Sequence, residues 1–491
     1  MKKILILNIL VSFILASCGG KSNSDKNTLN VEIPLKTKSI APYETDIPVK
    51  VGALESLFKM SKDGKVKPLL VKSTHQKSDN TLELTLKDNI KFQNGHKLNG
   101  NAVKSILEEG MKKSYLLKGS LPIKSISAKG QKVTITTEEP YPELKSELAS
   151  PFAAIYDTKA KSKVTDKPVG TGPYQIDNYK RAQKLELTKF KDYWQGKPKL
   201  NKVNVTYHED GNTRVDNLLS GKSDLTTDVP IDRISDVKNS KKANIQSTSG
   251  FRTHLLLYNH QSKKINKNVR EAFDMVINRK EIAKNISKNY AKPASTPFND
   301  RLKNVKNDKV QPQDIEKAKK LLAQEGFSKS HPLKINMVTY DGRPELPKIG
   351  QVIQSEAKKA NIDIQLRNVD DIDGYLKDPK AWDVSMYSYL TIPRGDTGYF
   401  FNTAYLPNGA LNKGHYNNKE VTQLIKKLNT SFGEKQRASV TNEILEKSKG
   451  DIPNSYITYN DQIDGVSSKV KNFNVTPESI YLIDYKVSKK E

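Results

Sequence analysis

Phe251-Arg-Thr-His-Leu-Leu-Leu-Tyr-Asn259 falls near the middle of a 491-residue chain and divides two kinds of sequence. The run is rich in β-forming and apolar residues, as a buried extended segment should be. On a strand, successive side chains point to opposite faces, so Arg252 and His254 leave the same one.

Upstream of this run the chain is strand-rich. A short strand is expected at 30–34, and period-two alternation marks 82–86, 133–137, 185–188 and 203–207. A turn-rich stretch beginning Ile90-Lys-Phe-Gln-Asn-Gly95 leads to a helix over 101–111. Downstream the pattern becomes α/β. Asn268 precedes Glu271 with the spacing of an N-cap and its reciprocal acid, and Val269, Ala272, Phe273, Val276 and Ile277 form an apolar helical face. A second helix over 314–325 ends at Gly326. Strand 333–339, helix 347–360 and strand 362–366 make a βαβ unit, followed by a strand at 382–386 and helices at 420–428 and 435–447. No short-period repeat is present. A strand-rich half joined to an α/β half implies two lobes, with the crossover between them.

In α/β sheets, ligands gather beyond the carboxyl ends of parallel strands. Here those ends lead into Tyr340-Asp-Gly-Arg343 and Tyr387-Ser-Tyr-Leu-Thr-Ile-Pro-Arg394. Tyr340, Tyr387 and Tyr389 offer aromatic walls, and Arg343 and Arg394 offer guanidinium groups. Taken singly, each tyrosine reads equally well as core packing and each arginine as a solvated charge; their convergence at strand ends makes them candidates.

The amino terminus sets the compartment. Lys2 and Lys3, an apolar run over 4–15 and small residues up to Cys18 have the form of a secretory signal, too short to span a bilayer. Cys18 is the sole cysteine, so an internal disulfide is impossible. Residues 18–29 read as a flexible tether. The net charge of +27 comes from lysines spread along the chain, without a basic arm or aromatic-studded basic strand. It suits a solvated surface facing anionic lipid and cell-wall polymers rather than nucleic acid. Enzyme signatures are missing. Tyr207-His-Glu-Asp-Gly211 lacks a second metal-binding histidine, and Gly221-Lys-Ser223 follows Asp216 where a phosphate loop needs glycine. The seven histidines form no metal-spaced pair.

Six stretches, in order, resemble the extracytoplasmic solute-binding proteins of the peptide/nickel class, the receptors of ABC importers. They are Ile90-Lys-Phe-Gln-Asn-Gly95, Gly170-Thr-Gly-Pro-Tyr174, Asp192-Tyr-Trp-Gln-Gly196, Val269-Arg-Glu-Ala272, Ile277-Asn-Arg-Lys-Glu-Ile282 and Ala318-Lys-Lys-Leu-Leu-Ala-Gln-Glu-Gly326. Leu15-Ala-Ser-Cys18 is similar to the lipobox of bacterial lipoproteins. The resemblance, which extends to nickel-binding lipoproteins of Gram-positive bacteria, implies an α/β, two-lobed clamshell of the periplasmic-binding-protein type. It carries an extra subdomain, about 47–167, in the first lobe. Lobe I is then 30–250 plus 463–491 and lobe II 251–462, with crossings at about 251–259 and 454–462. Residues 1–17 are the signal peptide, and Cys18 carries the lipid that holds the receptor on the outer face of the membrane.

The resemblance further implies a monomer without prosthetic group. Its cargo is a nickel(II) chelate with histidine-like or carboxylate chelators, passed to an ABC permease and its ATPase subunits. A single protein imidazole would touch the metal, His254 first and His415 second. Arg252, Arg343 and Arg394 would grip carboxylates. Peptide receptors of the family place an acid in the loop after Tyr387; Pro393 stands there, followed by Arg394-Gly-Asp396. Asp396 therefore keeps an oligopeptide receptor as the alternative, with an exported enzyme on the same scaffold behind it. The nickel-receptor pattern also carries Arg-Pro-Phe where this chain has Ser150-Pro-Phe152, which removes one clamp.

Overall fold

The computed structural model describes residues 27–490; the signal segment and Cys18 lie outside them. Two long antiparallel strands organise the fold, Ala243–Tyr258 and Asn454–Ser467. At about 3.3 Å per residue the first spans roughly 50 Å, enough to run through both lobes. They pair from Ala243 opposite Ser467 to Leu257 opposite Asn454. The two stretches expected as crossovers lie at the paired ends of these strands, and one eleven-stranded sheet is continuous through them.

The register breaks midway. Ser249 pairs with Asp461, but the next pair is Arg252 with Asn460, so extra residues bulge out of the first strand and bend it. Gly250 stands there because a Cβ would come 2.8 Å from the Asn460 carbonyl oxygen. The bend falls beside Phe251, where the sequence pattern places the first crossover.

On the lobe I side, strand Thr28–Ile33 lies parallel between Lys202–Tyr207 and Leu225–Thr226. That strand begins at Thr28, inside the stretch read as tether. Strands Tyr174–Lys180 and Lys184–Lys189 complete the edge. Residues 41–156 build a separate core around a four-stranded antiparallel sheet and the helix Gly100–Lys113, capped by Asn99.

On the lobe II side, Leu333–Tyr340 is flanked in parallel by Ile362–Val369 and Val384–Leu390, and the last pairs antiparallel with the long strand. Helix Glu345–Lys359 covers one face through Leu346, Ile349, Ile353 and Ala357. An alanine at Ile349 would cost about 2–5 kcal/mol by leaving a cavity. The helix Lys267–Val276 is capped by Asn266, which accepts from the Val269 amide at 3.0 Å, not by Asn268. The Asn268 amide donates instead to Glu325, at 2.6 Å. Glu271 pairs with Lys317 rather than closing a capping box.

Strand Val384–Leu390 begins two residues later and runs four residues further than the sequence pattern suggested. Trp382 sits before it, fully buried, while Tyr387 and Tyr389 are strand residues rather than loop residues.

Candidate functional site between the lobes

Leu333–Tyr340 and Val384–Leu390 run parallel and end at the same edge of lobe II, beside the bulge. Across the boundary, lobe I strand Leu225–Thr226 runs out towards Asp228, which holds a left-handed backbone with φ 54°. Non-glycine residues in that region are uncommon and concentrate at functional sites.

Arg252 lies on the long strand opposite Leu390. Its guanidinium reaches only the Ser388 hydroxyl and carbonyl oxygens, at 3.4 and 3.5 Å, and among the described residues it makes no ion pair with a carboxylate. Burial, and next the charge of Arg343, lower its pKa to about 10, so it stays a cation at neutral pH. Arg343 follows the end of Leu333–Tyr340, and among the described residues it too has no carboxylate partner. Burial raises the Tyr340 phenol, and the charges of both Arg343 and Arg252 oppose that rise. The charges of Asp228 and Glu345 offset that of Arg252 only in part, without forming an ion pair with it, and Arg343 opposes it, so an anion held by the two guanidiniums would relieve their repulsion. A carboxylate suits a guanidinium geometrically as well, through paired N–H donors.

His254 shares the Arg252 face, as parity requires, but it points beneath helix Glu345–Lys359 and is completely buried. Nε2 lies 2.8 Å from Glu345 Oε1, and Nδ1 lies 3.0 Å from Ser388 Oγ. Burial lowers the imidazole pKa, against the pull of Glu345. For Glu345, burial acts upward, but the His254 hydrogen bond, the backbone amide and the charge of Arg343 hold it below the ordinary carboxylate range. The consistent state is a neutral imidazole donating from Nε2 to a charged carboxylate, with Nδ1 accepting from Ser388. In this arrangement neither ring nitrogen is free.

The other candidates are placed differently. Tyr387 and Tyr389 leave the opposite face of the strand and join the lobe II core, where the Tyr387 ring still meets that of Tyr340 at 5.9 Å. Tyr387 hydrogen-bonds Asp373 at 2.6 Å, and Tyr389 packs on Phe400 and donates to the Leu411 carbonyl. His415 lies in a loop whose Gly414 carbonyl accepts from the His260 amide at 2.8 Å. That is eight residues beyond Arg252 on or just past the long strand, roughly 25 Å away. Arg394 and Asp396 do reach the lobe boundary, but each is already paired, Arg394 with Glu147 and Asp396 with Arg437. Among the described residues no cluster of three or more histidine, cysteine, aspartate or glutamate side chains is placed to hold a metal. A groove of 890 Å³ on the outer helices of lobe II, lined by Lys267, Asn418 and Glu446 among others, contains none of these groups.

The sequence reading missed Glu345, Ser388, Glu143, Glu147 and Arg437. Glu143 and Glu147 had a weak signal, two acids spaced i, i+4 with Leu144 and Leu148 beside them, in a stretch that also holds Glu138, Glu139 and Lys145. Glu345 had a weaker one, an acid two residues beyond Arg343 at the start of a helix.

The model of the bacterial extracellular solute-binding proteins, family 5 middle region, matches residues 65–412. The chain belongs to this family. Over 475 residues, covering 97% of this chain and 96% of the relative, it is 60% identical to the nickel-binding protein NikA of Staphylococcus aureus. The crystal structure of that protein in complex with Ni(L-His)2 superposes with a TM-score of 0.82, covering 94% of this chain and all of the other. A nickel ABC transporter structure from Bacillus halodurans, 30% identical, superposes with a TM-score of 0.83 over the same share of this chain. A glutathione-binding protein of Shigella dysenteriae is 24% identical over 85% of each chain. The two-lobed fold of the family is the one built here by the two shared strands, and the family is one of solute-binding proteins rather than enzymes.

Proposed function

We propose that this protein is the cargo receptor of an ABC importer and captures nickel as a chelate with small carboxylate-bearing ligands, histidine-like or aminopolycarboxylate. One observation carries the reading: Arg252 and Arg343 lie near the lobe boundary, the charge of one acts on the other, and among the described residues neither forms an ion pair with a carboxylate. They bind the carboxylates of the chelate, Tyr340 walls it, and the Ser388–His254–Glu345 chain fixes the strand and helix that present the two arginines. The 60% identity to a nickel-binding protein supports the choice of metal.

Such a cargo bridges the lobes and favours the closed form, which the permease then recognises. In this reading Cys18 is the lipidated residue, and the two acyl chains keep the receptor beside its permease and ATPase subunits. A peptide cargo is less well served, because Asp396 is held by Arg437 and is not free to meet an ammonium group.

Calorimetric titration of the purified chain with nickel, with L-histidine, with both, and with a mixture of short peptides tests the reading. Heat only when metal and histidine are present together is expected. Tight binding of peptides without metal would overturn it.

A further inference from the structure

Glu143 and Glu147 flank one turn of a short lobe I helix, Leu144–Glu147, and both carboxylates meet arginines of lobe II. Arg394 pairs with Glu147 and lies 5.4 Å over the Tyr399 ring. Arg437 reaches Glu143 at 3.1 Å and, through Nε, Asp396 at 2.8 Å. Asn402 adds a contact to Glu143 at 3.4 Å. The loop that carries Arg394 seats against lobe I with no spare room. A Cβ on Gly395, whose φ is 75°, would stand 2.6 Å from the Gly64 carbonyl oxygen, and one on Gly398 would strike the Glu143 carboxylate.

These contacts differ from the other ion pairs that cross the boundary. Lys65–Glu434, Lys348–Asp232 and Lys288–Asp232 are made by side chains 42–64% exposed, so solvent screens them and they hold little. Glu147 is 4% exposed and Glu143 7%. When the lobes part, these acids and their arginine partners regain water. When the lobes meet, the same groups are desolvated and paired in fixed geometry.

We propose that this cluster is a latch: Glu143 and Glu147, with Arg394 and Arg437, set how readily the lobes close, and so set affinity without touching the cargo. Arg394 is then a positioning residue rather than a ligand of the chelate. The inference goes beyond the identity of the cargo, because a latch between lobes acts on whatever is enclosed.

The test uses Glu147→Gln and the double swap Arg394→Glu with Glu147→Arg. Nickel plus L-histidine is the titrant, and scattering of the cargo-free protein is recorded alongside. Loss of the charge on Glu147 is expected to weaken binding about tenfold through faster release. The ligand-field absorption of the bound chelate should stay unchanged, and the swap should recover affinity to within about threefold. Wild-type affinity in Glu147→Gln, a shifted absorption band, or no recovery in the swap would each overturn the latch. If the wild type gives no heat with nickel and histidine, the cargo reading fails, and the latch is judged on scattering alone. Glu147→Gln must then show a larger radius of gyration than the wild type, and equal radii would overturn it.

Discussion

Arg252 and Arg343 stand at the same lobe boundary as Arg394 and Arg437, yet the two pairs live in opposite electrostatic states. The first pair forms no ion pair with a carboxylate among the described residues; Asp228 and Glu345 act on Arg252 only through their charge, and the two guanidiniums oppose each other. The second is matched to Glu147, Glu143 and Asp396. A cation left buried and unpaired costs stability and is retained where a ligand supplies the missing charge. A cation paired across two bodies holds those bodies together. Residue type and position at the cleft therefore do not reveal the role; the partner does.

The largest expected effect tests what a pair across lobes means. Arg279 is buried within lobe II, paired with Asp274 and donating to the Tyr456 carbonyl oxygen at 2.6 Å. Arg279→Ala should cost about 3–5 kcal/mol in chemical denaturation, since its partner is stranded. Arg394→Ala should cost no more than about 1 kcal/mol, because opening rehydrates Glu147 at once. Equal losses would make Arg394 an ordinary core arginine and end the comparison.

Arg252→Met addresses the unpaired side. It should weaken nickel–histidine binding by about 1.5–3 kcal/mol, the scale of hydrogen bonds to charged groups. Its melting temperature should equal or exceed that of the wild type, since a repelled cation has gone. A variant that melts lower while binding normally would place Arg252 in the structure and not the site.

A smaller effect depends on pH. Two guanidiniums face three carboxyls in the latch, and burial, followed by the charge of Asp396, pushes Glu143 up to about 8, against the pull of Arg437. Tyr141 and Glu147 face it from lobe I, and Arg437, Asp396 and Asn402 from lobe II. A pKa raised on closing favours closure fully below the ordinary carboxyl value of 4.5, and that advantage is lost as pH rises through about 8. The affinity ratio of wild type to Glu143→Gln for nickel–histidine should therefore fall between pH 5 and 8.5, and taking the ratio cancels the chelate's own titration. A flat ratio would show that Glu143 does not change protonation on closing. The smallest effect is for His415→Ala, which should leave affinity within about 0.5 kcal/mol, because its loop lies with the far end of the long strand.

Much of the fold was legible before any coordinates. Alternation at 82–86 and 203–207, and the βαβ unit from 333, reappear in the structure because short-range patterning dictates them. The crossover at Phe251 was visible as an apolar run, but its full length was not. The residues from Ala243 to Gly250 include Asn, Gln, Ser and Thr, and they are held extended by pairing with a strand about 200 residues away. The site was half legible. Arg252 and Arg343 followed from strand ends, and Arg252 with His254 from parity. Parity could not say that His254 would be roofed by a helix beginning at Glu345. Tyr387 and Tyr389 fall beyond the 382–386 pattern in the sequence, but the strand runs on to Leu390 and its pleat turns both side chains into the lobe II core. The partners of Arg394 and Asp396 arrive from sequence positions more than 40 residues away, where no local pattern reaches.

The claim at the centre is that two unpaired guanidiniums bind carboxylates of the cargo, and a pair of chelates differing only in that group tests it most directly. Nickel with L-histidine and nickel with histamine, which lacks the carboxylate, are titrated into the same preparation. The account predicts saturable binding of the histidine chelate and at least tenfold weaker binding of the histamine one. Equal affinities would contradict it.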